Sequence, residues 1–590
     1  MTQIDQHLKA GRYNEVLNLL NVTFSENLPN SELVKIASFC EVNTQQYAKA
    51  ISRLSQALGR FKDDVGLTIS LMFAYANNGD VENASKTALL LTPQTQFSSS
   101  HLNELLFFLQ EFSLRRYAVS RVVGAIYHND RKVNRDDEKA LLKLLYIAKT
   151  TQLWEMTLTL SKRLYQLSRS NTLIIEQAIA LRFLNRPSEA VTLLKPLSRS
   201  LNHYAVFHNL ANMYADMGEL RQASTLYERA IKLNPDYVES LVNHAKVAFE
   251  LGNTKTWLTL FEQVIRKKAR SIPHCTAYIN LLLEGKNFAK ALVTIDQLLV
   301  NYDKTISALL KAKTLRLQNK PSEALEALAP FELSNIAEIN LELAENALIL
   351  KDLPLATQQL NHLEKHAVKD FSIQQVVRSN TYIIERLKGL PVESKLKDTV
   401  WQRRAPDEVV AMPALRDYLE KLHARLSSPV SQSVRNGTQT RGNFFPTTNN
   451  SFKALEKFFK CQIADFIKAN ISYLNIADNV DISEDTIEFS GSWSVLNKSD
   501  GFHVPHYHSK GLVSGVFYVD VPRELSDIDN AGHLYLGRVD KTPFYQVEQF
   551  ATVKPENGKL VMFPSHMWHG TFPTKQEGIR LTIAFDAILV

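Results

Sequence analysis

At 590 residues the chain exceeds what one hydrophobic core supports, so several domains or a repeat array are expected. A composition of 45% hydrophobic and 22% charged residues is ordinary for globular proteins and excludes bulk disorder. The net charge of +7 is modest and its Lys and Arg are scattered, which argues against a nucleic-acid partner. Cys40, Cys275 and Cys461 lie far apart, forming neither a disulfide framework nor a CxxC pattern, so a reducing, cytoplasmic setting is expected. The N-terminus is too polar for a signal peptide, and no apolar run reaches the roughly 18 residues of a membrane span.

Taken in order, residues 1–390 repeat themselves. The clearest unit is 204–237, with Leu210-Ala211, Tyr214, Gly218, Ala223, Tyr227, Ala230 and Pro235. Ala211 and Ala223 are small enough for two helices to approach. Gly218 suits a left-handed cap at the end of the first helix, and Pro235 stops the second. These spacings resemble the tetratricopeptide repeat. Ala245, Gly252, Phe261 and Val264 follow one period later, but Trp257 stands where a small residue is expected. Small pairs recur at Ala178/Ala190, Ala312/Ala324 and Ala344/Ala356, and Pro-Ser-Glu-Ala helix starts at Pro187 and Pro321. The reading is an all-α solenoid of helix pairs on a period near 34 residues, with 95–150 fitting it poorly. A solenoid curves and offers a concave groove, which suits a protein or peptide partner. A spacer or an arm forming a homodimer is the alternative.

Residues 391–450, interrupted by Pro391, Pro406, Pro413, Pro429 and Pro446, read as a linker and lead-in with a short helix near Leu415–Leu426. An amphipathic helix over about 451–474 carries Phe452, Leu455, Phe458, Phe459, Ile463, Phe466 and Ile467 on one face. From Asp481 onward short alternating or apolar runs replace the helical period, at Thr486–Phe489, Ser492–Leu496, Leu512–Val519, His533–Leu536, Phe544–Val547, Leu560–Phe563 and Ile579–Leu589. Residues 451–590 therefore read as a jelly roll.

This last region carries the chemistry-bearing residues. His506 and His508, two apart, point to one side if they lie on a strand. His569 follows an apolar run that a neighbouring strand can bring to the same point. Converging imidazoles are what a borderline metal such as iron(II) or zinc requires. In the last run Ile579, Leu581, Ile583 and Phe585 alternate with Arg580, Thr582 and Ala584, so Arg580 and Thr582 point into the barrel. An inward arginine is costly unless an anion meets it.

The ordered set of Gly501-Phe502-His503, His506-Tyr507-His508, Ser514 to Val519, Leu560 to Pro564, Met567-Trp568-His569-Gly570-Thr571 and Arg580 to Phe585 resembles 2-oxoglutarate/iron(II) oxygenases found fused behind tetratricopeptide repeats. Residues 435–440 resemble the start of that catalytic region. The resemblance implies a C-terminal double-stranded β-helix, the cofactor iron(II) and the cosubstrates 2-oxoglutarate and O2. It also implies a metal set of His506, His508 and His569, and a cosubstrate site of Arg580 with Tyr518, Thr582 and Ser514. The carboxylate of the common two-His, one-carboxylate site is replaced by His508, so the third ligand is His508, His503 or a remote carboxylate. His566 reads as a surface residue. The expected activity is hydroxylation of a protein or peptide. Every residue assigned to the chemistry lies beyond residue 400, so a fragment from there is expected to carry it alone. The rival readings are a non-enzymatic scaffold whose jelly roll is metal-free or zinc-bound, and a cupin-type metalloenzyme that does not use 2-oxoglutarate.

Overall fold

The structure, a computed structural model, describes residues 2–24, 28–112, 114, 116–133, 138–268, 271–332, 334–366, 370–392, 396–407, 412–424, 433–441, 443–447, 449–476, 482–522, 530–574 and 578–589. Two compact units divide the chain, one ending at Leu184 and the other running from Asn185 to Leu589. Among the described residues no helix is long and apolar enough to cross a membrane.

The first unit is helical. Its pairs include Ser31–Asn43 with Tyr47–Arg60, Val65–Asn77 with Val81–Ala88, and Ser99–Glu111 with Arg116–Val133. The last pair explains why 95–150 breaks the period. Arg116–Val133 has 18 residues, whereas Tyr47–Arg60 has 14. The following pair, beginning at Glu138, is displaced accordingly.

Most first helices end on a left-handed residue, Ser99–Glu111 with its extended Phe112 being an exception, and this feature carries the repeat more faithfully than composition does. Gly79, Gly218 and Gly252 occupy the position at φ 78°, 78° and 89°, but Gln45, Gln152, Asn185, Lys286, Asn319 and Lys351 occupy it elsewhere at φ 55–61°. Non-glycine residues accept this conformation at a cost that packing of the adjoining helices offsets. Ala178, Ala190, Ala211, Ala223, Ala312, Ala324, Ala344 and Ala356 have no exposed surface, as the small-residue pairs require. Helices begin at Pro187 and Pro321, where a missing N–H costs nothing. Trp257 is buried, and the second helix of its pair is reduced to Thr259–Ile265.

The second unit holds the remaining helix pairs, to Phe371–Leu387, together with the sheets. The strands are β1 Trp401–Arg404, β2 Val434–Gln439, β3 Ile487–His503, β4 Val513–Asp520, β5 Leu534–Leu536, β6 Val539–Lys541, β7 Tyr545–Val547, β8 Ala551–Val553, β9 Lys559–Pro564, β10 His569–Thr571 and β11 Arg580–Leu589. Six form an antiparallel sheet in the order β1-β9-β4-β11-β3-β2, three form β10-β5-β8, and β6 pairs with β7. The stretch read as a linker therefore supplies both edge strands of the main sheet, β1 and β2, and a helix at Met412–His423. Pro429 and the end of the expected helix near Leu426 lie outside the described residues, as does Asp481.

The amphipathic helix forms at Lys453–Ala469. Leu455, Phe459, Ile463 and Phe466 pack with Leu581, Ile583 and Phe585 of β11 and Phe517 of β4. This is the outer face of the main sheet, as the alternation in β11 demands. Between the two sheets Tyr518, Val561 and Phe563 meet Leu534, Leu536 and Val553. A third core joins sheets to solenoid. Trp568, Tyr545 and Val547 pack with Ala347, Leu360, Val377 and Ile384, and the Tyr382 hydroxyl donates to Gly537 O at 2.8 Å.

Candidate metal and anion site

His503 ends β3, but His506 and His508 do not lie on a regular strand. The alternation argument for their common direction therefore does not apply. A single bridge takes its place. His506 N donates to His569 O at 2.9 Å and His569 N donates to His506 O at 2.8 Å, while His508 N donates to Ser565 O at 2.8 Å. The segment after β3 is thus strapped to the segment before β10. The rings of His506 and His569 come to 4.3 Å between centroids, His508 and His569 to 5.0 Å, and His506 and His508 to 5.1 Å. One nitrogen from each of the three lies within 4.8 Å of the others.

Which nitrogen faces inward follows from the hydrogen bonds. Nδ1 of His506 pairs with Val504 O at 2.8 Å, Nδ1 of His569 with Met567 O at 3.0 Å, and Nδ1 of His508 with Asp586 Oδ1 at 2.5 Å. An acceptor at every Nδ1 fixes the Nδ1–H tautomer and leaves each Nε2 lone pair for a metal. Burial, aided by His508, lowers the His506 imidazolium to about 4, and burial with the His506 charge holds His569 well below its ordinary value. Both rings are neutral near pH 7, the form a metal needs. The donor set fits iron(II) or zinc.

His503 is not in this group. Its Nδ1 lies 3.0 Å from Ser433 Oγ, and burial together with Arg580 keeps it neutral. Among the described residues no carboxylate is in the group either. The remote carboxylate is Asp586, which stands behind His508. The Ser514 hydroxyl donates to Asp586 Oδ1 at 2.6 Å and lies 2.9 Å from Ser565 Oγ, so it braces that carboxylate rather than offering a free hydroxyl to a cosubstrate. Asp586 was legible in principle, because it continues the Arg580, Thr582, Ala584 face of β11 by one more alternation.

These histidines open into a cavity of about 690 Å³, whose lining includes Tyr518, Thr571, Arg580 and Thr582. Arg580 is 2% exposed. Its Nη1 donates to Gly532 O at 2.9 Å, and its Nη2 donates to Asn497 Oδ1 at 3.0 Å and Thr571 Oγ1 at 2.9 Å. These acceptors are neutral, and no carboxylate of the described residues lies within ion-pair distance. Burial lowers the Arg580 pKa. The Tyr518 hydroxyl is buried without a hydrogen-bond partner among the described residues, and burial raises it to about 12, so it remains a donor. Among the described residues the Thr582 hydroxyl makes only a long contact to Val495 O, at 3.5 Å. The lining of one cavity thus brings together a buried cation, a hydroxyl without a partner among the described residues, and three imidazoles.

Two features escaped the sequence reading. His566 is buried rather than on the surface. Its Nδ1 lies 3.1 Å from Gln375 Oε1 of a solenoid helix and its Nε2 lies 3.2 Å from the Tyr473 hydroxyl. The cavity is also lined by Phe249, Glu284 and Lys286, which belong to the solenoid.

Comparison with known proteins agrees with this division. Residues 491–586 match the family described as "Putative 2OG-Fe(II) oxygenase", and residues 204–237 match the tetratricopeptide repeat. Yeast Tom70 is similar at 15% identity over 71% of this chain and 98% of that chain, with a TM-score of 0.36. A Pseudomonas putida prolyl-4-hydroxylase is similar at 18% identity over 33% of this chain and 96% of that chain, with a TM-score of 0.23. No curated protein matches the chain. The oxygenase-family match and the three histidines fall in the same segment of the chain, and the repeat match falls in the solenoid that adjoins it.

Proposed function

We propose that the protein is an iron(II)- and 2-oxoglutarate-dependent oxygenase that hydroxylates a protein or peptide substrate. The observation that carries this reading is Arg580, a buried guanidinium without a carboxylate partner among the described residues, which lines one cavity with three imidazoles whose Nδ1 atoms are already engaged. A buried cation is tolerated when an anion is its partner. A dicarboxylate that reaches from the imidazoles to Arg580 supplies that partner.

His506, His508 and His569 would hold the iron through Nε2. When bound, iron with O2 supplies the oxidation, converting 2-oxoglutarate to succinate and CO2 and placing the second oxygen atom in a C–H bond of the substrate. Asp586 holds the Nδ1 proton of His508 and keeps that ring in one orientation. Arg580 and the Tyr518 hydroxyl bind the far carboxylate by charge-assisted hydrogen bonds. The packed residues Val561, Phe563, Leu534 and Leu536 exclude water from that end. Three neutral ligands leave the metal charge to be balanced by the cosubstrate itself. Tetratricopeptide repeats serve protein–protein interaction in general, which favours a polypeptide substrate.

Anaerobic titration of the iron(II)-loaded protein with 2-oxoglutarate tests the reading. A visible charge-transfer band is expected. Bound iron without that band removes the 2-oxoglutarate assignment and leaves a cupin-type enzyme. Because the ligand group lacks a carboxylate, a structural zinc site is the second reading, and failure to bind iron favours it.

A further inference from the structure

The departure of Trp257 from the repeat pattern has a structural consequence at the cavity. Its ring packs edge-on to Phe249, with centroids 5.3 Å apart, and its Cζ2 lies 2.8 Å from where a Cβ on residue 285 would stand. Glycine at 285 is therefore required by the indole. The next residue, Lys286, takes the left-handed turn at φ 55°. One indole thus props up two pieces of the cavity wall, Phe249 and the 284–286 turn. A bidentate ion pair between Arg441 and Glu250 ties this helix end to the segment that follows β2.

The charges on this wall are unequal. Glu284 is the one carboxylate that lines the cavity among the described residues, and Lys246 Nζ donates to its Oε1 at 3.3 Å. The other oxygen, Oε2, is buried without a donor among the described residues. Lys286 and Arg435 are exposed, one from the solenoid and one from β2, and Lys286 has no ion-pair partner among the described residues. The outer part of the cavity thus offers the aromatic face of Phe249 and two exposed cations, Lys286 and Arg435.

We propose that the Trp257 repeat is the substrate-selecting wall of the active site, and that it accepts an acidic polypeptide segment. This inference rests on the oxygenase reading above. A substrate carboxylate meets Lys286 and Arg435, and Phe249 covers the apolar part of the chain. The solenoid then touches the reacting segment itself and does more than capture it at a distance.

The test uses the full-length protein and three fluorescein-labelled peptides of equal length: Glu/Ser/Gly, Ser/Gly and Lys/Ser/Gly. Binding is read by fluorescence anisotropy, and the 2-oxoglutarate charge-transfer band is recorded on the same iron-loaded samples. The acidic peptide is expected to bind more tightly than the other two. Lys286→Glu is expected to weaken it by about fivefold, the worth of one exposed charge contact, while Lys286→Arg retains it. Lys139→Glu is the control, since it makes the same charge change at a residue that does not line the cavity. No acidic preference in the wild type, or an equal loss in Lys139→Glu, overturns the proposal. Equal competition by free N-acetylglutamate overturns the polypeptide assignment in favour of a small acid. If the band forms but the acidic preference is absent, only this inference falls. If the band is absent, the oxygenase reading falls.

Discussion

The His508 ring and the Asp586 carboxylate meet at 2.5 Å between Nδ1 and Oδ1, so the third imidazole of the cluster is oriented by a residue 78 positions later in the chain. The contact fixes the tautomer that leaves Nε2 free and makes the ring a better donor to a metal. Asp586→Ala is expected to lower iron(II) affinity by about 10- to 100-fold, the usual effect of losing such a partner. Asp586→Asn should lose less, because its amide oxygen can still accept from Nδ1–H. Metal titration with a competing chelator reads both.

Arg580 sets a different expectation, because it lies on the anion and not on the metal. Arg580→Met should leave iron binding intact and weaken 2-oxoglutarate by about 30-fold or more, from the roughly 2–5 kcal/mol cost of losing a desolvated charge partner. Thermal unfolding provides a second reading. A ligand that binds only the native state raises Tm with its concentration. Adding 2-oxoglutarate to the metal-loaded protein should raise the Tm of the wild type and leave that of the variant nearly unchanged.

The shared core between solenoid and sheets revises the expectation for a fragment beginning near residue 400. Such a fragment would expose Val539, Val547, Tyr545 and Trp568, and would deprive His566 of Gln375. Each large apolar side chain left in water forgoes about 1.5–3 kcal/mol, against a total stability of about 5–15 kcal/mol for a domain. The 400–590 fragment is expected to be unfolded or aggregated. A chain from residue 185 onward, which keeps the second unit whole, should fold and bind iron. Size-exclusion chromatography, circular dichroism and metal content separate the outcomes.

Buried histidines give the metal-free protein an acid limit, and two outside the metal cluster add to the share of His503, His506 and His569. Burial lowers His423 to about 4 and His566 to about 3, against an ordinary value of 6.5. In the unfolded chain both rings take up a proton near 6.5, whereas in the folded chain they resist it until the lowered values. The unfolded state therefore binds more protons between those limits, and stability falls as pH drops from about 6.5 towards 4. Denaturant midpoints at pH 7, 6 and 5 should fall in that order, and His423→Asn should flatten the decline. An unchanged slope in that variant would mean that His423 does not contribute to the decline.

The sequence by itself determined the local periods and what they bury. The alternation in residues 579–585 put Leu581, Ile583 and Phe585 on the outer core and Arg580 on the cavity side, because a strand turns successive side chains to opposite faces. Small residues at Ala211 and Ala223 marked where helices touch, and the close clustering of histidines marked a metal-ligand candidate. Where the backbone geometry outlived its signature residue, the sequence fell silent. Gln152, Asn185, Lys286, Asn319 and Lys351 adopt the turn that Gly218 announces, since packing of the helix pair can impose a left-handed residue without glycine. Tertiary structure decided the rest, because each remaining feature is a contact between distant segments. It joined His506 to His569 by one bridge, set Asp586 behind His508, drew the apparent linker into the main sheet as β1 and β2, and carried Phe249, Glu284 and Lys286 to the cavity wall. None of these has a period to read. Each depends on which surfaces of distant segments bury one another.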